Sequence, residues 1–546
     1  MTAAIIDAGD GLPLTIPALV RQRAREQGDR VLLVCDRERL TYAEADERSR
    51  LLARGLLAAG AAKGSHVALL YPNGPDFIVG ALAAARIGAV VLPFSTLSTA
   101  DELRWLLAHS DTLFLLAAQE YRSHRYAEAL RAALPELDYA RPQLLTSVTA
   151  PWLRRIWFSG PLPAGWDPGW SITALVESAK QVGEDYFHAV EDRVSPADRF
   201  VIIHTSGSTS TPKGVVHIQG AAMRYLDNLN RIRHYGPEDV VFSLSPWFWT
   251  AGFYYALFSV IVAGARLVTS NSSDAAETLD LLERERPNIG NGWAAVTERL
   301  AADPSFPRRD LSFLRRGTLY PIMRPELRPR DPDLRHGTYG QTEVGSTLTT
   351  SGDEGDLPER LRGAFGQVVP GYEVKIVDPD TGDECSTGQL GEAWVRGPFL
   401  MDGYYGKTRG QVFEPGGWFR TGDMGLLDAE GYFYFKNRRN DMIKTAGANV
   451  APREVEAVLR ELTGGLPCYV VGVPDAQRGQ LVAAVVVAER PDEVDEASLS
   501  ERLSARLSSY KVPRRILRLA QAEMPVMPTG KVNVRALAAL VRDRLD

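Results

Sequence analysis

The amino-acid sequence predicts an α/β protein: a large N-terminal domain of parallel or mixed sheets with helices, containing a β-rich subdomain, and a small α+β C-terminal domain. Three observations lead there. Buried-strand patterns alternate with amphipathic helical patterns through the first 120 residues, the rhythm of βαβ units. Between Gly391 and Phe435, strand-like pieces are separated by Gly and Asp turns. The polar, basic run Lys436 to Asp441 then precedes a segment with its own helix and strand patterns. These place the N-terminal domain at 1–439, its β-rich part at about 365–435, and the C-terminal domain at 440–546.

Taken in order, Val31 to Val34 is apolar and strand-like. Thr41 with Glu44 forms a capping-box pattern, which supplies partners to N–H groups the first helical turn leaves open, and starts an amphipathic run to Ala59. Val67 to Tyr71 reads as a buried strand, Pro75 to Ile87 as a helix, and Ala89 to Leu92 as a second strand. Pro151 to Asp192 holds Trp152, Trp157, Trp166 and Trp170 among prolines and glycines without periodicity, so a packed irregular connection is expected. Alternation resumes at Val201. Ala251 to Ala265 is the most apolar stretch; shorter than the roughly 20 residues a bilayer demands, it reads as a buried helix. The last segment predicts a helix over Pro452 to Leu462, strands over Tyr469 to Val473 and Leu481 to Ala488, and a helix over Ala497 to Leu507.

The 546 residues are 45% hydrophobic and 24% charged, enough to bury sizeable cores. Sixty-two basic against 68 acidic side chains leave −6, no positive field for a polyphosphate backbone, so nucleic acid is not an expected partner. Cys35, Cys385 and Cys468 lie far apart without CxxC spacing, which encodes neither a disulfide framework nor a zinc site and fits a reducing cytoplasm. Met1 to Leu19 carries two acidic residues and no basic cluster, the wrong charge order for a secretory signal. A cytoplasmic monomer or homodimer without a membrane span is expected.

Five segments concentrate chemistry. Thr205-Ser-Gly-Ser-Thr-Ser-Thr-Pro-Lys-Gly214 is expected on a strand-to-helix turn after Phe200 to His204. Backbone N–H groups at Gly207 and Gly214, the hydroxyls of Ser206, Ser208 and Thr209, and the Lys213 ammonium can surround phosphate oxygens. It is not a Walker A loop, which needs glycine where Pro212 stands and Ser or Thr where Gly214 stands. Tyr339-Gly-Gln-Thr-Glu343 offers an aromatic face for a purine, a hydroxyl for phosphate and a carboxylate for a hard cation such as Mg2+. Trp418-Phe-Arg-Thr-Gly-Asp423 puts a carboxylate after a strand and a glycine, where it can accept from two vicinal ribose hydroxyls. Asn437-Arg-Arg-Asn-Asp-Met-Ile-Lys-Thr-Ala-Gly447 joins fixed charge to a turn, and Pro528-Thr-Gly-Lys531 displays one lysine near the C-terminus. Each segment alone also fits an ordinary turn. Only nine of the 62 basic residues are lysine, yet Lys213, Lys444 and Lys531 fall inside these segments. A compact, rotatable ammonium suits a moving phosphate or carboxylate better than a planar guanidinium.

In this order and spacing the five segments resemble the core motifs of the adenylate-forming superfamily: acyl- and aryl-CoA synthetases, peptide-synthetase adenylation domains and firefly luciferase. The likeness runs over essentially the whole chain. Asp441-Met-Ile-Lys-Thr-Ala-Gly-Ala-Asn-Val450, Pro452-Arg-Glu-Val-Glu456 and Ser509-Tyr-Lys-Val-Pro-Arg514 are most similar to the acyl-CoA synthetase branch. The resemblance implies an acid–thiol ligase using ATP, Mg2+ and coenzyme A. A small-molecule carboxylic acid attacks the α-phosphorus of ATP to give acyl-AMP and pyrophosphate, and the CoA thiol then displaces AMP. It further implies that Lys531 steadies the developing charge, assisted by Thr342 and Thr209, with Mg2+ held at Glu343 and Thr209. Thr205, Ser206, Gly207, Ser208, Thr209 and Lys213 would cradle phosphate, Tyr339 beside Gly340 would stack on adenine, Asp423 would bind ribose, and Arg438 and Lys444 would be further cofactor contacts. A mobile C-terminal domain would swing about Asn440 and bring the loop around Gly447 to the thiol path. The alternatives are an acyl-AMP ligase loading a carrier protein and a catalytically weak nucleotide-binding homologue.

Departures from the family pattern bear on substrate. Ser210 stands where the family has glycine; Leu319 and Tyr320 replace a small Gly-Gly-Ala-Pro run beside adenine and the acyl pocket; Trp249 replaces histidine in a Pro-x-x-His-x-x-Gly segment. Ser245 to Tyr255 contains no acidic residue, whereas amino-acid-activating relatives place an aspartate near here. The expected substrate is an apolar acid, bulky and cyclic or branched, packed against Trp249, Phe253, Tyr254 and Tyr320 with Gly340 and Gln341. The competing expectation is that these aromatics fill the core.

Overall fold

The computed structural model describes residues 11–141, 144–205, 212–292, 294–331, 334–352, 355–438, 442–488, 495–525 and 532–545. They fall into two units, Met1–Thr96, Leu106–His204 and Gly214–Lys436, and Leu97–Trp105, Thr205–Lys213 and Asn437–Asp546.

In the first unit the predicted βαβ rhythm is realised. The strand Val31–Cys35 is followed by the helix Tyr42–Ala58, whose Thr41–Glu44 capping box is formed on both sides. The helix Pro75–Arg86 is buried along its length, so its mostly apolar side chains need no polar face. It belongs to a core shared with a seven-stranded sheet ordered Gly403–Tyr404, Lys213–Ile218, Arg199–Thr205, Val90–Pro93, His66–Leu70, Phe114–Ala118 and Arg155–Ser159. The central strands are parallel, Val67 lying level with Val91 and Phe114. A six-stranded sheet runs Arg316–Gly317, Ile289–Asn291, Val240–Ser243, Arg266–Thr269, Val31–Cys35 and Glu38–Thr41. The β-rich part is an antiparallel sheet of Glu373–Val377, Gly391–Arg396, Trp418–Leu427 and Phe413–Glu414, with Phe433–Arg438 pairing Trp418–Leu427.

Three expectations are corrected. Pro151 to Asp192 is not a wholly irregular connection, because Arg155–Ser159 joins the seven-stranded sheet parallel to Phe114–Ala118. Its apolar centre packs Trp157 against Phe114, ring centroids 5.4 Å apart. The segment after His204 leads into the neighbouring strand Lys213–Ile218 and not into a helix, which starts only at Gln219. Asp423 lies inside the ten-residue strand Trp418–Leu427, not after a strand. The apolar run from Ala251 is helical and buried as expected, but Ala251–Phe258 is wound as a π-helix before Ser259–Ala263 continues as α.

The second unit has a sheet ordered Ala448–Val450, Ile443–Thr445, Gly479–Val487 and Cys468–Asp475, with Arg515–Leu519 parallel to Gly479–Val487. Helix Pro452–Leu462 turns Val455 and Leu459 into a core with Cys468 and Val470. The Lys511 ammonium is buried 2.8 Å from a carboxylate oxygen of Glu454 and 2.8 Å from one of Glu102, which comes from the 97–105 piece of the same unit. This pairing joins the Pro452–Glu456 and Ser509–Arg514 segments, and a buried cation is tolerated only because it is compensated.

Candidate active site

In the first unit, Tyr339 ends a short strand, Thr338–Tyr339, paired antiparallel with Thr349–Thr350. Its ring is buried against Phe433 at 4.8 Å and stacks on Phe435 at 5.6 Å. The Tyr339 hydroxyl donates to Oδ2 of Asp423 at 2.6 Å, and Asp423 is 1% exposed. At Gly340 the chain passes so close to its neighbour that a β-carbon would lie 1.8 Å from the Ser346 carbonyl oxygen, so only glycine fits. Gln341 is buried, and its Nε2 has no hydrogen-bond partner among the described residues.

The next two residues are held from two sides by neighbouring strands. The Thr342 carbonyl accepts from Nε2 of His217 at 2.8 Å. Burial pushes the His217 pKa down to about 4, only partly opposed by that carbonyl bond, so the ring is neutral near pH 7. The Glu343 carboxylate accepts from the Tyr404 hydroxyl at 2.7 Å. His217 and Tyr404 sit on paired strands, Val215 opposite Tyr404 and Val216 opposite Gly403. Neither residue carries a local motif, which is why the sequence did not single them out.

Among the described residues no cluster of three or more His, Cys, Asp or Glu side chains could hold a metal. Glu343 alone fits Mg2+, which is commonly held by one or two carboxylates plus substrate phosphates and water.

Trp249 is half-buried, edge-on to Phe248 at 5.1 Å. Phe253 and Tyr254 are fully buried and present no surface. Phe253 packs on Phe258 at 4.6 Å and Phe200 at 5.6 Å, the core placement that was the competing expectation. The Tyr254 hydroxyl is buried without a partner among the described residues, and burial raises its pKa well above the usual value. Tyr320 is half-buried. Leu319 is 0% exposed and turned into the gap left by Gly290 and Gly292, whose β-carbons would sit 3.0 and 2.9 Å from its methyls. This corrects the expectation of added bulk at that position beside a ligand.

In the second unit, Thr205 Oγ1 lies 3.5 Å from the Lys213 carbonyl oxygen. Gly447 forms a two-residue hairpin with Ala446, φ 83° and 49°, between Ile443–Thr445 and Ala448–Val450. Lys444 is exposed, its N–H donating to Oε1 of Gln480 at 2.8 Å. Ser206, Gly207, Ser208, Thr209, Ser210, the Arg438 side chain, Asn440 and Lys531 lie outside the described residues. Among the described residues no helix is long and apolar enough to cross a membrane.

The profile of the AMP-binding enzyme family matches residues 20–405, and that of the AMP-binding enzyme C-terminal domain matches residues 454–531. An indoleacetate–CoA ligase of Aromatoleum aromaticum is 31% identical over 528 residues, 95% of this chain and 97% of its own. A long-chain-fatty-acid–CoA ligase of Mycobacterium tuberculosis is 30% identical over 511 residues, 90% of this chain and 92% of its own. The solved structure of an amide bond synthetase from Marinactinospora thermotolerans matches with a TM-score of 0.76 at 26% identity, over 96% of this chain and 99% of its own.

Proposed function

We propose a substrate and a division of labour for this chain, which belongs to the AMP-binding enzyme family in its acyl-CoA synthetase branch and is an acid–thiol ligase. Its substrates are a small carboxylic acid, ATP and CoA. The observation that carries the division of labour is the Tyr339–Gly-Gln-Thr-Glu343 turn, where Asp423 and Glu343 are each oriented by one tyrosine hydroxyl.

In the first half-reaction a carboxylate oxygen of the acid bonds to the α-phosphorus of ATP, and the bond to pyrophosphate breaks. Asp423, oriented by the Tyr339 hydroxyl, accepts from the ribose hydroxyls, and the Tyr339 ring lies beside adenine with Gly340. Thr205, Ser206, Gly207, Ser208 and Lys213 take the phosphates. Glu343 and Thr209 would hold Mg2+, which supplies neutralisation of phosphate charge. Lys531 and Thr342 stabilise the charge that builds on the transferring group. In the second half-reaction the C-terminal domain turns about Asn440, the Gly447 hairpin lines the thiol path, and Arg438 and Lys444 contact nucleotide or CoA. The thiol sulfur bonds to the acyl carbon, AMP leaves with the electron pair, and the thiol proton is released.

The acid is apolar, bulky and cyclic or branched. Trp249 and Tyr320 offer half-buried aromatic surface, Phe253 and Tyr254 back that wall, and Gly340 and Gln341 close it. No carboxylate in Ser245 to Tyr255 is available to pair an α-ammonium. A reducing cytoplasm suits the free Cys35, Cys385 and Cys468.

ATP–pyrophosphate exchange over a panel of acids tests the substrate: turnover confined to short or zwitterionic acids discards this pocket. With CoA present, accumulation of acyl-AMP and never thioester would assign a carrier-protein thiol as acceptor. Lys531→Ala should abolish acyl-AMP formation while sparing thioester formation from supplied acyl-AMP; equal loss of both steps removes its assigned role.

A further inference from the structure

Between the strand Val240–Ser243 and the π-helix Ala251–Phe258 the chain of the first unit is irregular, so its backbone groups have no ladder to join. Side chains from elsewhere hold it at both ends. At the near end Asn73, buried just before helix Pro75–Arg86, donates from Nδ2 to the Ser245 carbonyl at 3.0 Å and accepts at Oδ1 from the Trp247 N–H at 3.0 Å. Asn73 is itself fixed, its carbonyl accepting from Nδ2 of Asn271 at 2.6 Å.

At the far end the Thr250 hydroxyl donates to the Gly345 carbonyl, and the Gly345 N–H donates to the Thr342 carbonyl at 3.0 Å. Thr250 precedes the π-helix, yet its side chain caps no N–H there. Between the two anchors lies the half-buried Trp249, whose N–H donates to the Pro246 carbonyl at 3.1 Å and whose carbonyl accepts from Gly252 and Phe253 at 3.0 and 2.8 Å. The turn closes tightly: a β-carbon at Gly252 would lie 2.0 Å from the Pro246 carbonyl oxygen. The backbone of Trp249 is therefore tied through direct bonds to Asn73 on one side and to Thr342 on the other.

We propose that Asn73 and Thr250 are positioning residues for the acid: they fix where the Trp249 ring stands relative to Thr342, and so set which acid shapes reach the α-phosphorus. A binding wall selects by shape only when its own backbone is held. The inference rests on the reading of Trp249 as a wall of the acid pocket and adds the two residues that keep that wall in place.

The test follows pyrophosphate release with the best-activated acid of the panel and with a straight-chain acid of equal carbon number. Thr250→Val removes the hydroxyl at nearly constant volume. It should raise KM for the preferred acid by roughly three- to tenfold, the size of one neutral hydrogen bond, with less effect on kcat and on KM for ATP. The kcat/KM ratio between the two acids should narrow. Thr250→Ser keeps the donor and should restore most of both, and Asn73→Ala should shift both in the same direction as Thr250→Val. In a Trp249→Ala background Thr250→Val should add nothing further to KM for the acid, a dependence that a general loss of packing does not produce. Unchanged values in Thr250→Val or in Asn73→Ala, or full additivity with Trp249→Ala, overturn the proposal while the reading of Trp249 stands. An unaltered KM for the acid in Trp249→Ala removes both.

Discussion

The hydroxyl of Tyr339 and the carboxylate of Asp423, 84 residues apart, meet at 2.6 Å inside the first unit. The bond fixes the orientation of a carboxylate that is 1% exposed. Asp423→Ala is expected to lower kcat/KM for ATP by roughly a hundredfold, about 2.7 kcal/mol, consistent with losing hydrogen bonds to a charged acceptor. Tyr339→Phe keeps the ring and removes only the donor, so a several-fold rise in KM for ATP is expected. Pyrophosphate exchange at varied ATP measures both; an unchanged KM in Asp423→Ala would take the ribose away from this carboxylate.

Tyr404 holds one oxygen of Glu343, which narrows the carboxylate's rotation. Tyr404→Phe should therefore raise the Mg2+ concentration needed for half-maximal activity several-fold, with a smaller effect at saturating Mg2+. It should likewise weaken Mn2+ binding followed by electron paramagnetic resonance in the presence of ATP. Identical titration curves for variant and wild type would leave Tyr404 a packing residue.

Leu319 occupies space that Gly290 and Gly292 vacate. A β-carbon at Gly290 would lie 3.0 Å from one Leu319 methyl and 3.1 Å from a Leu314 methyl, and both of these side chains are fully buried. Gly290→Ala is expected to destabilise the first unit by about 1–3 kcal/mol through overpacking, and Leu319→Ala by about 2–5 kcal/mol through the cavity it leaves. In the double variant the two losses should be less than additive, because each change makes room for the other. Thermal melts of the four proteins check this, and strict additivity would mean the two positions do not share the gap.

The fold was legible where a local pattern is also the stabilising interaction. The Thr41–Glu44 box and the apolar runs of Val31–Cys35, His66–Leu70 and Val90–Pro93 each satisfy their own backbone or bury their own face. Arg155–Ser159 was hidden because its five residues sit among tryptophans, prolines and glycines, and only pairing with Phe114–Ala118 makes it a strand. At the site, Tyr339, Asp423, Glu343 and Lys213 stood out as residue types in order. His217 and Tyr404 did not, since their roles come from strand pairing between residues 189 and 187 positions apart, Val215 with Tyr404 and Val216 with Gly403, which no local pattern records. Leu319 was misjudged for the same reason: the space it fills is left by Gly290 on another strand and Gly292 just after that strand.

His217 makes stability depend on pH in a defined window. Its folded pKa is about 4 against an ordinary 6.5, with burial the larger cause. Above pH 6.5 neither folded nor unfolded chain protonates this ring, and the full stability is present. Between 6.5 and about 4 the unfolded chain binds a proton that the folded chain refuses, so stability falls as pH falls, by up to about 3 kcal/mol from this residue. His217→Gln removes the titration while keeping an amide able to donate to the Thr342 carbonyl. Urea unfolding of wild type and variant between pH 7.5 and 4.5 should therefore show the wild type losing stability more steeply on acidification. If the two curves stay parallel across that range, the ring is not held neutral by burial, and the link from strand Lys213–Ile218 to Thr342 must tolerate an imidazolium.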